Sequence, residues 1–210
     1  FPVVDEEGRL LNKFITVRNG GKEFLDVVAH GNERVLRARL SDAEFFFNED
    51  RKLKLEDRLE KLKTVSFQEG LGNMYDKSER LAKLAEMVKF AINVKVDDTN
   101  LKRTALLSKT DLVAGMVVEF TELQGVMGRE YAKLDGEPAE VAEGIYEHYL
   151  PRFAGDELPK GTIGRIVGIS DKIDNIVATF SRGLAPTGSQ DPYALRRQAL
   201  GIINILISSN

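Results

Sequence analysis

The chain contains no cysteine, which excludes disulfides, thiolate zinc sites, thiol nucleophiles and iron–sulfur ligands. It has no tryptophan, and His30 and His148 are its two histidines. Any metal centre must therefore be mostly carboxylate, and a Ser-His-Asp triad has only these two candidate bases. No apolar run approaches the roughly 18 residues that span a bilayer. The longest, such as 201–207, are short and bordered by polar residues. Neither sign of charge dominates: 30 Lys and Arg against 33 Asp and Glu leave a net charge of -3. Such a balance argues against a surface that coats nucleic acid or an acidic membrane throughout, and leaves room for a local basic patch.

What remains is ordinary soluble composition, 42% apolar and 30% charged over 210 residues, enough for one sizeable core or two small domains. The opening Phe1-Pro2-Val3-Val4-Asp5 is not a basic segment leading into an apolar run. Both ends read as cut. The expectation is an internal piece of a longer cytoplasmic protein.

The first twenty residues read as two strands. Val3 and Val4 precede the turn signal Asp5-Glu6-Glu7-Gly8, and Leu10, Leu11, Phe14, Ile15 and Val17 follow it. An isolated hairpin is marginal in water, so its sheet is expected to continue upstream. The apolar period then changes from 2 to 3.6. Asn32 reads as an N-cap, followed by Leu36, Leu40, Ala43 and Phe47 on one face. Further helices are predicted through Leu55–Leu62, from about Asp76, after Asp97 as far as Val118, and from Thr121 to near Gly136. Others follow Pro138 and run from about Thr162 to Gly183. The last starts at Asp191-Pro192, a cap followed by a first-turn proline. The fold class is mainly α from residue 30 onward.

Gly20-Gly21 and Gly70-Leu71-Gly72 match neither phosphate-loop nor dinucleotide spacing, and read as turns. Arg34, Arg37 and Arg39 lie close together, with Arg34 and Arg37 three apart on one helix face. That row suits either RNA phosphates or a solvated face paired with interleaved carboxylates. Arg152, Arg165, Arg182, Arg196 and Arg197 form a second, dispersed set. Lys109-Thr110-Asp111, Glu147-His148, and Asp171 with Asp174 place His and Asp on three predicted helices, the ligand logic of a metal-dependent phosphohydrolase. The set is thin, and Lys109 would put a positive charge beside the ion. The plainer reading makes His148 and Asp171 buried, hydrogen-bonded groups. Ser170 beside Asp171 and Ser108 beside Lys109 lack an orienting partner for nucleophilic catalysis.

The stretch Thr187-Gly188-Ser189-Gln190-Asp191-Pro192-Tyr193-Ala194-Leu195-Arg196-Arg197-Gln198-Ala199 is not generic. It resembles a signature of the beta subunit of bacterial heterotetrameric glycyl-tRNA synthetase. Residues 30–47, 67–72, 109–113, 119–128 and 147–153 resemble the same family in the same order, so the likeness covers essentially the whole chain. The resemblance implies a tRNA-handling subunit of glycine–tRNA ligase, partnered by tRNA-Gly and by an alpha subunit in an alpha2beta2 heterotetramer. ATP and Mg would be used through the alpha subunit, leaving no cofactor, no metal and no catalytic residue here. Residues 1–29 would be a β-hairpin ending an editing-like domain. Residues 30–210 would be a helical histidine–aspartate phosphohydrolase-like domain, truncated at its C-terminus. Lys109-Thr110-Asp111 resembles that superfamily's His-Asp position without its His, so Asp111, His148 and Asp171 become degenerate metal-site positions. Arg34, Arg37, Arg39, Arg196 and Arg197 are the tRNA-binding candidates. A metal phosphohydrolase using Asp111, His148 and Asp171 is the alternative.

Overall fold

The computed structural model describes residues 1–188 and 190–208. Ser189, part of the signature above, lies outside them, as do Ser209 and Asn210.

Compact packing divides the chain at Asp42–Ala43. In the first unit, β1 (Pro2–Val4) and β2 (Leu10–Phe14) pair antiparallel, Pro2 opposite Phe14 and Val4 opposite Leu10, with a register irregularity between. The turn closes as its residues dictate. Asp5 Oδ1 accepts N–H bonds from Glu7 (3.1 Å) and Arg9 (2.8 Å), and Gly8 takes φ +79. Helix α1 (Leu25–Asp50) starts in this unit and ends in the next. It begins seven residues before the expected cap at Asn32. Leu25–Ala29 contain no helix breaker, and Asp26 suits the positive end of the helix dipole. The Asn32 amide instead donates to Thr16 Oγ1 at 3.4 Å.

The second unit is helical. The segment 55–62, expected as one helix, is two short 3-10 turns, Glu56–Arg58 and Glu60–Thr64. They are held where Asp135 Oδ2 accepts the Leu55 N–H at 2.8 Å. Helix α2 (Met74–Ala91) opens on a reciprocal capping box between Asn73 and Asp76. Helix α3 (Asp98–Leu107) is capped by Asp97. Its predicted continuation to Val118 is broken: a 3-10 turn (Thr110–Val113) intervenes before α4 (Gly115–Glu119). Thr121–Leu123 is another 3-10 turn, and α5 (Val126–Asp135) ends on left-handed Gly136. Helix α6 (Ala139–Glu147) follows Pro138, and α7 (Thr162–Ser181) runs as predicted. Helix α8 (Leu195–Ile207) starts four residues after Asp191, because Ala194 adopts a left-handed conformation. The Asp191 carboxylate still caps it, accepting N–H bonds from Leu195 (2.8 Å) and Arg196 (2.9 Å).

Two apolar clusters hold this unit. One gathers Leu107, Met116, Tyr131, Val141 and Ile145, with Phe46 and Phe47 of α1 packed against it. The other gathers Leu81, Leu101, Ile163, Ile166, Val167 and Ile205 from α2, α3, α7 and α8. Among the described residues no helix is long and apolar enough to cross a membrane.

Candidate functional site

The break after α3 creates the site. At Lys109 the backbone leaves the helix (φ -111, ψ 0), which turns this side chain into the interior. His148 is the C-cap residue of α6, and Asp171 and Asp174 lie one turn apart on α7. Lys77 and Arg80 reach them from α2. All but Arg80 of these side chains are buried.

Lys109 Nζ is the hub. It lies 2.9 Å from His148 Nε2 and 2.9 Å from Asp171 Oδ2, and its charge sits 4.2 Å from the centre of the Tyr149 ring. The other oxygen of Asp171 lies 2.9 Å from Lys77 Nζ. Lys77 continues to Asp174 Oδ2 and Asn175 Oδ1, both at 2.8 Å. Arg80 closes the chain on Asp174 Oδ1 at 2.8 Å. His148 Nδ1 lies 2.7 Å from the Ile145 carbonyl, which accepts only. Nδ1 therefore carries the proton and Nε2 accepts from the Lys109 ammonium.

The electrostatics follow from burial and pairing. Burial, and then the Lys109 charge, hold His148 well below its ordinary range, so the ring is neutral. Burial pushes the Asp171 carboxyl up, but Lys109 and Lys77 outweigh it and hold the group well below the usual carboxylate range. Burial lowers the Lys109 ammonium, against the pull of Asp171. Lys172, which donates to the Leu150 carbonyl at 2.8 Å, is lowered by burial to about 8.

Asp111 does not join this centre. Its Oδ2 accepts the Gly125 N–H at 2.6 Å, while Oδ1 is buried without a hydrogen bond. Burial raises its carboxyl to about 6. Of the three positions expected to be a degenerate metal site, His148 and Asp171 converge and Asp111 faces the α5 entrance. The residues do not fit a divalent ion, because an ammonium stands between the imidazole and the carboxylate. Among the described residues no three His, Asp or Glu side chains are grouped to hold one. The alternative reading of these positions as a working metal phosphohydrolase loses its geometric basis. Nor are the serines nucleophiles: Ser108 and Ser170 donate to the Ala105 and Ile166 carbonyls of their own helices.

The arginines divide between the two units. Arg34, Arg37 and Arg39 are all exposed on α1. Arg34 and Arg37 share a face, but Arg39 is two residues from Arg37, roughly 200° round the helix. Arg196 and Arg197 are exposed at the start of α8, where their charges help hold the Asp191 carboxyl down behind its backbone hydrogen bonds. Arg197 also lines a cleft of about 260 Å³ with Tyr149, Arg152, Asp171, Lys172 and Tyr193. Arg152 is committed to Asp156 at 2.9 Å, and Arg165 to the Pro159 carbonyl at 3.0 Å.

Sequence reasoning missed Lys77, the second cation on Asp171. Its signal was its position four residues before Leu81, which places a lysine on the apolar stripe of α2. It also missed Asp50, whose carboxylate caps α4 from the end of α1.

Comparison with known proteins identifies the lineage. Residues 1–210 match the family described as glycyl-tRNA synthetase beta subunit. Similar curated proteins are glycine–tRNA ligase beta subunits. That of Desulforamulus reducens is 54% identical, with the alignment covering 100% of this chain and 30% of the relative. That of Halothermothrix orenii is 55% identical over 100% and 31%, and that of Clostridioides difficile 57% over 99% and 30%. The chain thus spans about 30% of the length of the curated relatives it matches.

Proposed function

The chain belongs to the glycyl-tRNA synthetase beta subunit family, and from that membership we propose that it is a tRNA-contacting and scaffolding part of a glycine–tRNA ligase. The observation that carries this reading is the match along all 210 residues at 54% identity. Glycine and ATP, with Mg, are handled on the alpha subunit of an alpha2beta2 assembly in the cytoplasm. This segment contributes no catalytic group. Its helical part is read as a histidine–aspartate phosphohydrolase-like fold that keeps the positions of Asp111, His148 and Asp171 without the chemistry.

The mechanism is electrostatic and shape-based. Arginines pair with tRNA phosphates and 2′-hydroxyls, while the packed helices hold neighbouring parts of the subunit in place. Arg34 and Arg37 support this role best: both are exposed, and neither forms an ion pair among the described residues. Arg39, Arg196 and Arg197 complete the candidate set. The test is binding of tRNA-Gly to the intact tetramer carrying Ala at these positions, beside glycine-dependent ATP–pyrophosphate exchange. Weaker tRNA binding with unchanged exchange is the expected result. Unchanged tRNA affinity overturns the assignment.

A further inference from the structure

The centre around Lys109 sets two groups of the kind that ligate metals, an imidazole and a carboxylate, around an ammonium. A neutral imidazole nitrogen and a carboxylate oxygen, each 2.9 Å away, converge on the ammonium. The imidazole is fixed from behind by the Ile145 carbonyl at 2.7 Å, the same backing that orients metal-bound histidines. The carboxylate bridges: its second oxygen meets Lys77 Nζ at 2.9 Å, and Asp174 and Asn175 complete the shell of that second ammonium. An Asp that joins two buried cations through separate oxygens is how carboxylates link paired metal ions.

We infer that Lys109 and Lys77 are the resident cations of this centre, covalent replacements for divalent ions that neutralise Asp171 and lock His148 without a bound metal. The logic is one of charge and coordination. Buried Asp171 needs a positive partner at each oxygen, and neutral His148 needs a donor at Nε2. A metal ion meets such needs while it stays bound. An ammonium on a four-carbon stem meets them permanently, and its three donors match the imidazole, the carboxylate and one more partner. It offers no open coordination position and no bound water, so the centre organises α2, α3, α6 and α7 without any hydrolytic capacity. The inference stands on this geometry and not on the proposed tRNA role, so it can fail while that role survives.

The test uses the intact protein, stripped of metal. Wild type is expected to hold no Mn²⁺ at this centre and to unfold at the same temperature with EDTA or with Mn²⁺ or Zn²⁺ added. K109A is expected to unfold at lower temperature, and added Mn²⁺ or Zn²⁺ to return on the order of 5 °C at saturating concentration. K109A/H148A should not respond. Wild type that retains about one Mn²⁺ per chain, with loss in H148Q, overturns the inference. So does K109A that is as stable as wild type. Should K109A fail to fold, ¹⁵N resonances of selectively labelled His148 in wild type decide. A proton on Nδ1 with a bare, accepting Nε2 at neutral pH supports the ammonium centre, and a protonated Nε2 rejects it.

Discussion

Tyr131 Oη on α5 donates to Asp50 Oδ2 on α1 over 2.9 Å, inside the first apolar cluster. The same carboxylate accepts the N–H groups of Gly115 and Met116, both at 2.8 Å, and so caps α4 from another helix. The Arg58 guanidinium, 3% exposed, donates to the Asp50 backbone carbonyl and lies 3.5 Å from its carboxylate. Burial, and then Asp50, push the Tyr131 hydroxyl well above its ordinary range, so it stays a donor.

Removing Asp50 and removing the Tyr131 hydroxyl are therefore unequal injuries. Y131F deletes one donor and leaves the carboxylate bonded to α4, at a cost of about 1 kcal/mol. D50A strands a buried guanidinium and two helix N–H groups, at a cost of about 3–5 kcal/mol. Denaturant midpoints of the two variants should differ in that order. Equal losses would refute the shared role of the carboxylate.

Asp111 makes a pH prediction. Its folded pKa of about 6 exceeds the ordinary carboxylate value of about 3.9, so the folded state binds the proton more tightly. Between the two values the unfolded chain has released a proton that the folded chain keeps. Stability attributable to this group therefore falls as pH rises from about 4 to 6, by on the order of 3 kcal/mol. Asp171 has the opposite sign. Its ionised form is favoured in the fold, so its contribution is present above about 4 and lost as acid protonates it. In D111N the fall between pH 4 and 6 should shrink. An unaltered stability profile in that range would assign the slope to other groups.

The helices were legible where a local signal starts and stops them. Pro138 opens α6 and Gly136 closes α5 because each conformational preference acts within one turn. The break at Lys109 was not legible. Residues 101–118 keep a helical apolar pattern, and the break coincides with the burial of the lysine against His148 and Asp171, 39 and 62 positions away. The start of α1 was obscured by Asn32, a good cap whose side chain is used by Thr16 instead. The site was half legible for the same reason. His148 and Asp171 stand out as rare or paired residues, but a lysine on an apolar stripe declares itself only when its acidic partners are placed around it.

Two glycines in helices predict opposite outcomes for one substitution. A Cβ on Gly164 would come within 2.6 Å of Glu147 Cβ and 2.4 Å of its Oε2. That carboxylate is not free to leave, since it accepts the Lys160 and Gly161 N–H groups, both at 2.9 Å, at the start of α7. G164A should therefore cost about 1–3 kcal/mol through overpacking. Gly31 in α1 has open space, so G31A should stabilise by about 0.5–1 kcal/mol through helix propensity. Thermal unfolding of both variants checks the pair, and a destabilising G31A would reveal a close neighbour at that position.

Salt dependence separates a phosphate contact from an indirect effect at Arg34 and Arg37. A cation that pairs with RNA phosphate releases a counterion, so log affinity falls with log salt by about 0.7–0.9 for each contact. The two side chains share one face of α1 and can track one strand. R34A/R37A should then lower tRNA-Gly affinity and also flatten the salt slope by about 1.4–1.8, measured from 50 to 200 mM salt. A loss of affinity at constant slope would mean that the arginines hold the protein's shape and do not touch the backbone. Arg39, on the far side of α1 from Arg37, should change the slope less than either partner. An equal change at all three would require the RNA to wrap the helix, or the helix to turn its faces on binding.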